Sequence, residues 1–139
     1  MKKSWRLLPK ILSGEKTIES RWYKNKIKPW DKINKGDTVY FKNSGEPITS
    51  KADVVNVLQY SALSPVKVRR ILDKYGHRDG IENQNLGFYY NLFKNKNYGL
   101  LIFISNPVKI RRPFNIRKDG FGSMSAWITI DRISKIKIK

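Results

Sequence analysis

Short β-branched and aromatic runs joined by two or three helical stretches predict an α+β protein built on a small β-barrel of five or six strands. Three observations carry this expectation. "TIESRWY", "TVYFKN" and "KADVVNVLQY" have the length and composition of strands bounded by turn residues. "SPVKVRRILDKYG" has the caps and apolar periodicity of an amphipathic helix. No internal repeat, low-complexity linker or composition break divides the 139 residues, so 1–139 reads as one domain.

In chain order, Ser4 to Leu12 places Trp5, Leu8, Ile11 and Leu12 at helical spacing, and Gly14 sits where a C-cap belongs. Pro9 moves the expected helix start toward Leu8. Thr17 to Tyr23 is a strand, followed by the basic loop "KNKIKPWDKINKGD", the strand "TVYFKN", the turn "SGEP" and the strand "KADVVNVLQY". Ser64 and Pro65 open the clearest helix; Val68, Ile71, Leu72 and Tyr75 form its apolar face, and Gly76 ends it. Leu86 to Lys94 reads as a short helix carrying aromatics. "YGLLIFI" and "VKI" make a strand interrupted at Asn106 and Pro107. "IRRPFNIRKDGFGSMS" reads as a basic loop, and "AWITI" and "ISKIKIK" as closing strands.

Charge is the strongest global signal. Twenty-nine Lys and Arg face 11 Asp and Glu, a net charge of +18. Such a surface releases condensed counterions from a polyanion, so a nucleic acid is the expected partner; charge does not distinguish RNA from DNA, and the preference for RNA over DNA comes from the resemblance given below. Lysines that merely solubilise the chain account for part of the excess. No cysteine is present, which excludes disulfides and thiolate metal sites. One histidine and scattered acids make no coordination sphere, so neither metal nor cofactor is expected. No apolar run reaches membrane-spanning length, and "MKKSWRLLPK" is followed by no signal-peptide core. The expected location is cytoplasmic, with no membrane partner.

"SGEKTIESRW" concentrates the candidate chemistry. In an extended strand Glu19 and Arg21 share one face, with Ile18 and Ser20 on the other. The stem of Lys16 can swing toward Glu19 from the preceding turn. A carboxylate between two cations stays ionised and orients the guanidinium for phosphate or a base edge. An exposed ion pair worth roughly 0–1 kcal/mol fits the same spacing.

The pattern G-x-K-x-x-E-x-R through Gly14, Lys16, Glu19 and Arg21, with the apolar helix before it, the "KGD" turn and the terminal "GFGSMSAWITID", resembles the ASCH domain family of the PUA-like superfamily. The resemblance spans essentially the whole chain. It implies a PUA-like barrel with a cleft lined by the motif, and RNA binding. In that cleft Lys16 and Arg21 would contact phosphate or a base edge, with Glu19 orienting them. Some relatives are hydrolases, which leaves an alternative: a metal-independent ribonuclease, or an amidohydrolase acting on a modified nucleoside, using Lys16 and Glu19. Amidohydrolases of this type carry a threonine nucleophile where this chain has Glu19. Thr17 is nearby on a different register and lacks an obvious activating base.

Trp22 and Trp30 have basic neighbours and are candidate stacking platforms for bases, whereas Trp5 and Trp127 read as core. Arg111, Arg112, Arg117 and Lys118 gather around Gly120 and Gly122, where freed backbone N–H groups suit phosphate oxygens. The resemblance brings this loop to the cleft and makes Phe121 and Ser123 ligand neighbours. Lys67, Arg69, Arg70, Lys74 and Arg78 read as the solvent side of their helix. His77, beside Arg78 and Asp79, reads as a loop residue.

Overall fold

The computed structural model describes residues 7–26, 30–42, 45–116 and 137–138. They form α1 (Leu7–Leu12), β1 (Ile18–Tyr23), β2 (Thr38–Phe41), β3 (Ile48–Tyr60), α2 (Pro65–Tyr75), α3 (Leu86–Phe93), β4 (Tyr98–Ile116) and β5 (Lys137–Ile138). A 3-10 turn at Asn83–Asn85 leads into α3. No helix among the described residues is long and apolar enough to cross a membrane.

Local chemistry sets the ends of α2. Ser64 is extended, and its hydroxyl accepts the Lys67 N–H at 3.3 Å. Pro65 occupies the first turn, where its missing N–H has no cost. Val68, Ile71 and Leu72 are buried, as their spacing predicts.

The sheet order is β1-β4-β3-β2, antiparallel throughout, with β5 pairing the end of β4. β1 and β2 are the outer strands of this path and do not pair with each other, so the described sheet is open. Barrel closure requires pairing of the outer strands, and the expected strand "AWITI" lies outside the described residues.

Two strands depart from their expected limits. β3 starts at Ile48 because Ile48 and Ser50 are buried and Ile48 pairs with Phe114. β4 runs on where a break was expected. Asp53 opposes Ser105 while Lys51 opposes Val108, so β4 holds one extra residue there. Asn106 takes φ 52° at this bulge, a conformation asparagine tolerates, and Pro107 needs no ladder donor. Further on, Ser50 opposes Lys109 and Ile48 opposes Phe114, leaving three extra β4 residues between them. Residues 111–116, expected to open a loop, are therefore strand, held by buried Phe114 and by the pairs Asn115–Ile138 and Ile116–Lys137.

The sheet buries both faces. Leu100, Ile102 and Ile104 of β4 pack on one face with Ile11 of α1, Val39, Phe41 and Val54. Leu101 and Phe103 point to the other face, against Val68, Ile71 and Leu72 of α2 and Ile18 and Trp22 of β1. Aromatics of α3 pack against this second cluster. Continuous burial across Leu100–Ile104 explains why "LLIFI" lacks polar alternation.

Trp22 reaches this layer because the residue opposite it is glycine: Trp22 pairs with Gly99. A Cβ on Gly99 would lie 3.1 and 3.2 Å from Trp22 ring carbons and 3.3 Å from Leu63 Cδ1. Gly99→Ala should cost about 1–3 kcal/mol by overpacking, read as a lower urea midpoint, with tryptophan fluorescence reporting the displaced ring.

Candidate functional site

The site is built where the start of β1 meets the turn after α2. That turn is docked by backbone hydrogen bonds: the Thr17 and Ile18 N–H groups both donate to Arg78 O, at 2.7 and 3.0 Å. Within it, Gly80 adopts φ +80°, and its missing side chain leaves room for the Lys16 stem, whose Cδ would lie 3.3 Å from a Cβ there. The turn thereby aims Asp79 inward at the base of β1.

Lys16 is 3% exposed, and its ammonium donates three hydrogen bonds: to Ile18 O at 2.6 Å, Asp79 O at 2.7 Å and Asp79 Oδ1 at 2.5 Å. Glu19 Oε2 stands 3.5 Å from the same nitrogen, and Arg21 Nη2 lies 3.3 Å from Glu19 Oε1. The other Asp79 oxygen accepts from the Ser20 hydroxyl at 2.5 Å, and Ser20 Oγ accepts from Trp22 Nε1 at 3.0 Å. An unbroken set of contacts thus links Arg21, Glu19, Lys16, Asp79, Ser20 and Trp22.

Above this network lies a cavity of about 250 Å³. β1 is an outer strand of the described sheet, and the cavity takes side chains from both its faces: Glu19, Arg21 and Tyr23 from one, Ser20 and Trp22 from the other. Tyr89 and Phe93 of α3 complete the aromatic wall, with Ile81 beside them. Phe93 stacks on Trp22 at 4.9 Å between centroids and 13° between planes. Glu19 Oε2 is buried and has no hydrogen-bond partner among the described residues, the Lys16 ammonium being 3.5 Å away.

Two cations and two carboxylates line the cavity, so the described lining balances to zero charge. Burial alone would lower the Lys16 ammonium, but the Glu19 and Asp79 carboxylates outweigh it and hold Lys16 above its ordinary value. Burial pushes the Asp79 carboxyl up, against the opposing pull of Lys16 and Ser20, with Glu19 adding to the rise. The two directions agree. Two carboxylates share one fully buried cation, so the cluster as a whole holds protons tightly.

The structure therefore brings together Lys16, Glu19 and Arg21, and it puts Glu19 and Arg21 on one strand face as expected. It revises the role of Lys16. All three ammonium hydrogens are taken by protein oxygens, so Lys16 braces the floor and is not poised to contact phosphate. Among the described residues the lining is charge-balanced; Arg117 and Lys118, which the resemblance brings to the cleft, lie outside them. Trp22 is 8% exposed and already stacked, which makes it a wall and not an open platform. Trp30 does not line the cavity; it meets the edge of Tyr98 at 5.2 Å. Arg111 and Arg112 are exposed on the bulged stretch of β4, about ten residues beyond its pairing with β1, and do not line the cavity. Arg117, Lys118, Phe121 and Ser123 lie outside the described residues, as do Trp5 and Trp127. Thr17 Oγ1 accepts from Arg78 Nε at 3.1 Å, which supplies no base to activate it.

Sequence reasoning passed over Asp79, Ser20, Tyr89 and Phe93 as site residues. One signal was present for Asp79: an acid in a glycine-bounded turn, "GHRDG", of a strongly basic chain. The aromatics of α3 gave no signal of their own, since they are shared between packing and the cavity.

This open sheet, with helices on both faces and a motif-bearing outer strand, is an ASCH-domain fold. The chain is similar to the ASCH protein ZmASCH from Zymomonas mobilis: its crystal structure aligns at TM-score 0.57 and 17% identity over 79% of this chain and 67% of that one. A tyrosine-to-phenylalanine mutant of that protein aligns at 0.58 and 16% identity, covering 83% and 71%. A serine-to-alanine mutant aligns at 0.57 and 16%, covering 79% and 68%. At this identity the likeness is one of fold. No family model matches the chain, and no curated protein matches it at a significant level.

Asp79→Ala should cost about 3–5 kcal/mol, because it removes an acceptor from a buried ammonium. Asp79→Asn, which keeps an acceptor for Lys16, should cost less; urea unfolding of the two variants measures the difference. The raised Lys16 value also sets a pH dependence. Stability from a raised group is present below its unfolded value and is lost as pH climbs through the folded one. Unfolding free energy should thus fall above 10.5, the ordinary lysine value. Tyr23, Tyr60 and Tyr89, all pushed up by burial, add a decline of the same sign. The Lys16 part is the decline that wild type shows and Lys16→Met lacks.

Proposed function

We propose that this chain is an RNA-binding domain whose cavity takes one unstacked base. The observation that carries the reading is the Glu19 carboxylate in the lining of an aromatic-walled, charge-balanced cavity beside the Arg21 guanidinium: its buried Oε2 has no hydrogen-bond partner among the described residues, only the Lys16 ammonium at 3.5 Å. A carboxylate accepts from ring or amino N–H groups, and a guanidinium donates to carbonyl and ring-nitrogen acceptors. A neutral heterocycle offers both, whereas a phosphate would meet the two carboxylates. At about 250 Å³ the space is smaller than a drug-sized pocket and suits a single base. The net charge of +18 supports the polymer: it draws the phosphate chain to the surface from which the base enters. Lys16 acts as a brace, Trp22 and Phe93 as a wall, and Arg111, Arg112, Arg117 and Lys118 as contacts to the backbone. The same reading takes the open sheet as part of a small PUA-like barrel.

A second reading, metal-independent hydrolysis in the same cavity, is favoured by one contact. The Ser20 hydroxyl donates to Asp79, a carboxyl that burial pushes up from its ordinary value, which sets a hydroxyl and an acid side by side in the cavity lining.

Arg21→Ala should weaken binding of a labelled single-stranded RNA by about 1–3 kcal/mol, the size of a lost base-edge contact. Lys51→Gln, an exposed change on β3, should have a far smaller effect. Equal small losses would reject the cavity in favour of diffuse attraction. RNA cleavage in chelator that disappears in Asp79→Asn would establish the second reading instead. Single-stranded DNA of the same sequence tests the preference for RNA.

A further inference from the structure

A second concavity, of about 460 Å³, lies between α2 and the end of β3. Its floor is apolar and aromatic, formed by Tyr60, Ile71 and Tyr75, and its rim carries Lys67, Arg70 and Lys74. No acidic residue lines it among the described residues. The neighbouring cations of the same stretch are engaged elsewhere. Arg69 pairs with Asp73 at 3.1 Å, and Arg78 lies over the Phe103 ring and donates to Thr17. The helix thus sorts its charges, with paired ones off the groove and three cations on it.

These three are available to a ligand. Arg70 is exposed and makes no hydrogen bond or ion pair among the described residues. Lys67 donates one hydrogen to Ala62 O at 3.2 Å, and Lys74 lies 5.2 Å from the Tyr75 ring centroid. At about 1.5 Å rise and 100° per residue, they span roughly 10 Å along the axis within an arc of about 60°. Linear positive charge above aromatic rings is the chemistry that holds a single strand, with phosphates on the cations and bases against the rings. A concave site with an aromatic floor accommodates a strand better than the flat headgroup layer of a bilayer.

We propose that this groove is a second nucleic-acid site, holding a short stretch of the phosphodiester backbone of single-stranded RNA on Lys67, Arg70 and Lys74. It uses no residue of the Glu19–Arg21 cavity, and rests on the RNA reading only for the identity of the polymer. The two sites lie at different strands of the sheet, one beside β1 and the other beside the end of β3.

The test is a salt titration of binding to a fluorescent oligouridylate of about 12 nucleotides, within the usual single-strand site range. Removing three phosphate contacts should reduce the slope of log K against log salt by about 2 in the K67Q/R70Q/K74Q chain. Removing three exposed lysines elsewhere, in K32Q/K35Q/K51Q, should change the slope by less than half as much. Arg70→Glu alone, at an exposed side chain, should move affinity and slope in the same direction and guards against misfolding of the triple variant. An unchanged slope in the groove variants, or an equal fall in the control, overturns the proposal. So does a groove variant that keeps its RNA slope but loses binding to phosphatidylserine vesicles, which would make the groove a membrane contact. Failure of the cavity reading is separate: it appears as an ineffective Arg21→Ala, with the groove result standing.

Discussion

One buried ammonium joins the outer strand of the sheet to the helical layer. Lys16 is enclosed by Ile18 O on β1 and by two oxygens of Asp79 in the turn after α2. A charge removed from water costs several kcal/mol unless its partners are complete. Its burial therefore holds Asp79 in place, Asp79 orients Ser20, and Ser20 receives the Trp22 indole N–H. The β1 side of the cavity traces back to that nitrogen. Glu19 is held by the same ammonium and in turn meets Arg21, the most exposed of the three charged motif residues.

Charge is divided between surface and interior. The chain carries +18 overall, yet the described cavity lining balances two cations against two carboxylates. An excess on the surface acts at long range, is weakened by salt and cannot tell one base from another. A balanced, partly buried site acts at contact and discriminates through hydrogen bonds. In the function proposed above the two arrangements complement each other: the first would gather a polyanion and the second would select within it. The groove along α2 belongs to the first kind, with an aromatic floor added.

Legibility in the sequence followed distance along the chain. α2 was readable residue by residue, because Ser64, Pro65 and Gly76 act within a single turn of their own backbone. The shared face of Glu19 and Arg21 followed from strand alternation alone. Asp79 was passed over because its partner Lys16 lies 63 residues away, and its one local signal, an acid in a glycine-bounded turn, does not reveal that partner. The continuation of β4 through residues 111–116 reads as loop because its Arg and Pro content is that of a loop. Pairing with β3 and β5 and the burial of Phe114 override that preference.

The sequence by itself determined the α+β composition, the limits of the central helix, the basic surface and the grouping of Lys16, Glu19 and Arg21. These depend on caps, periodicity and charge, which act over a few residues or over the whole chain at once. Tertiary structure decided which of the three charges is buried, which acid balances them, and which tryptophan becomes a wall. Those outcomes depend on desolvation, and desolvation is set by what packs against a side chain from distant parts of the chain.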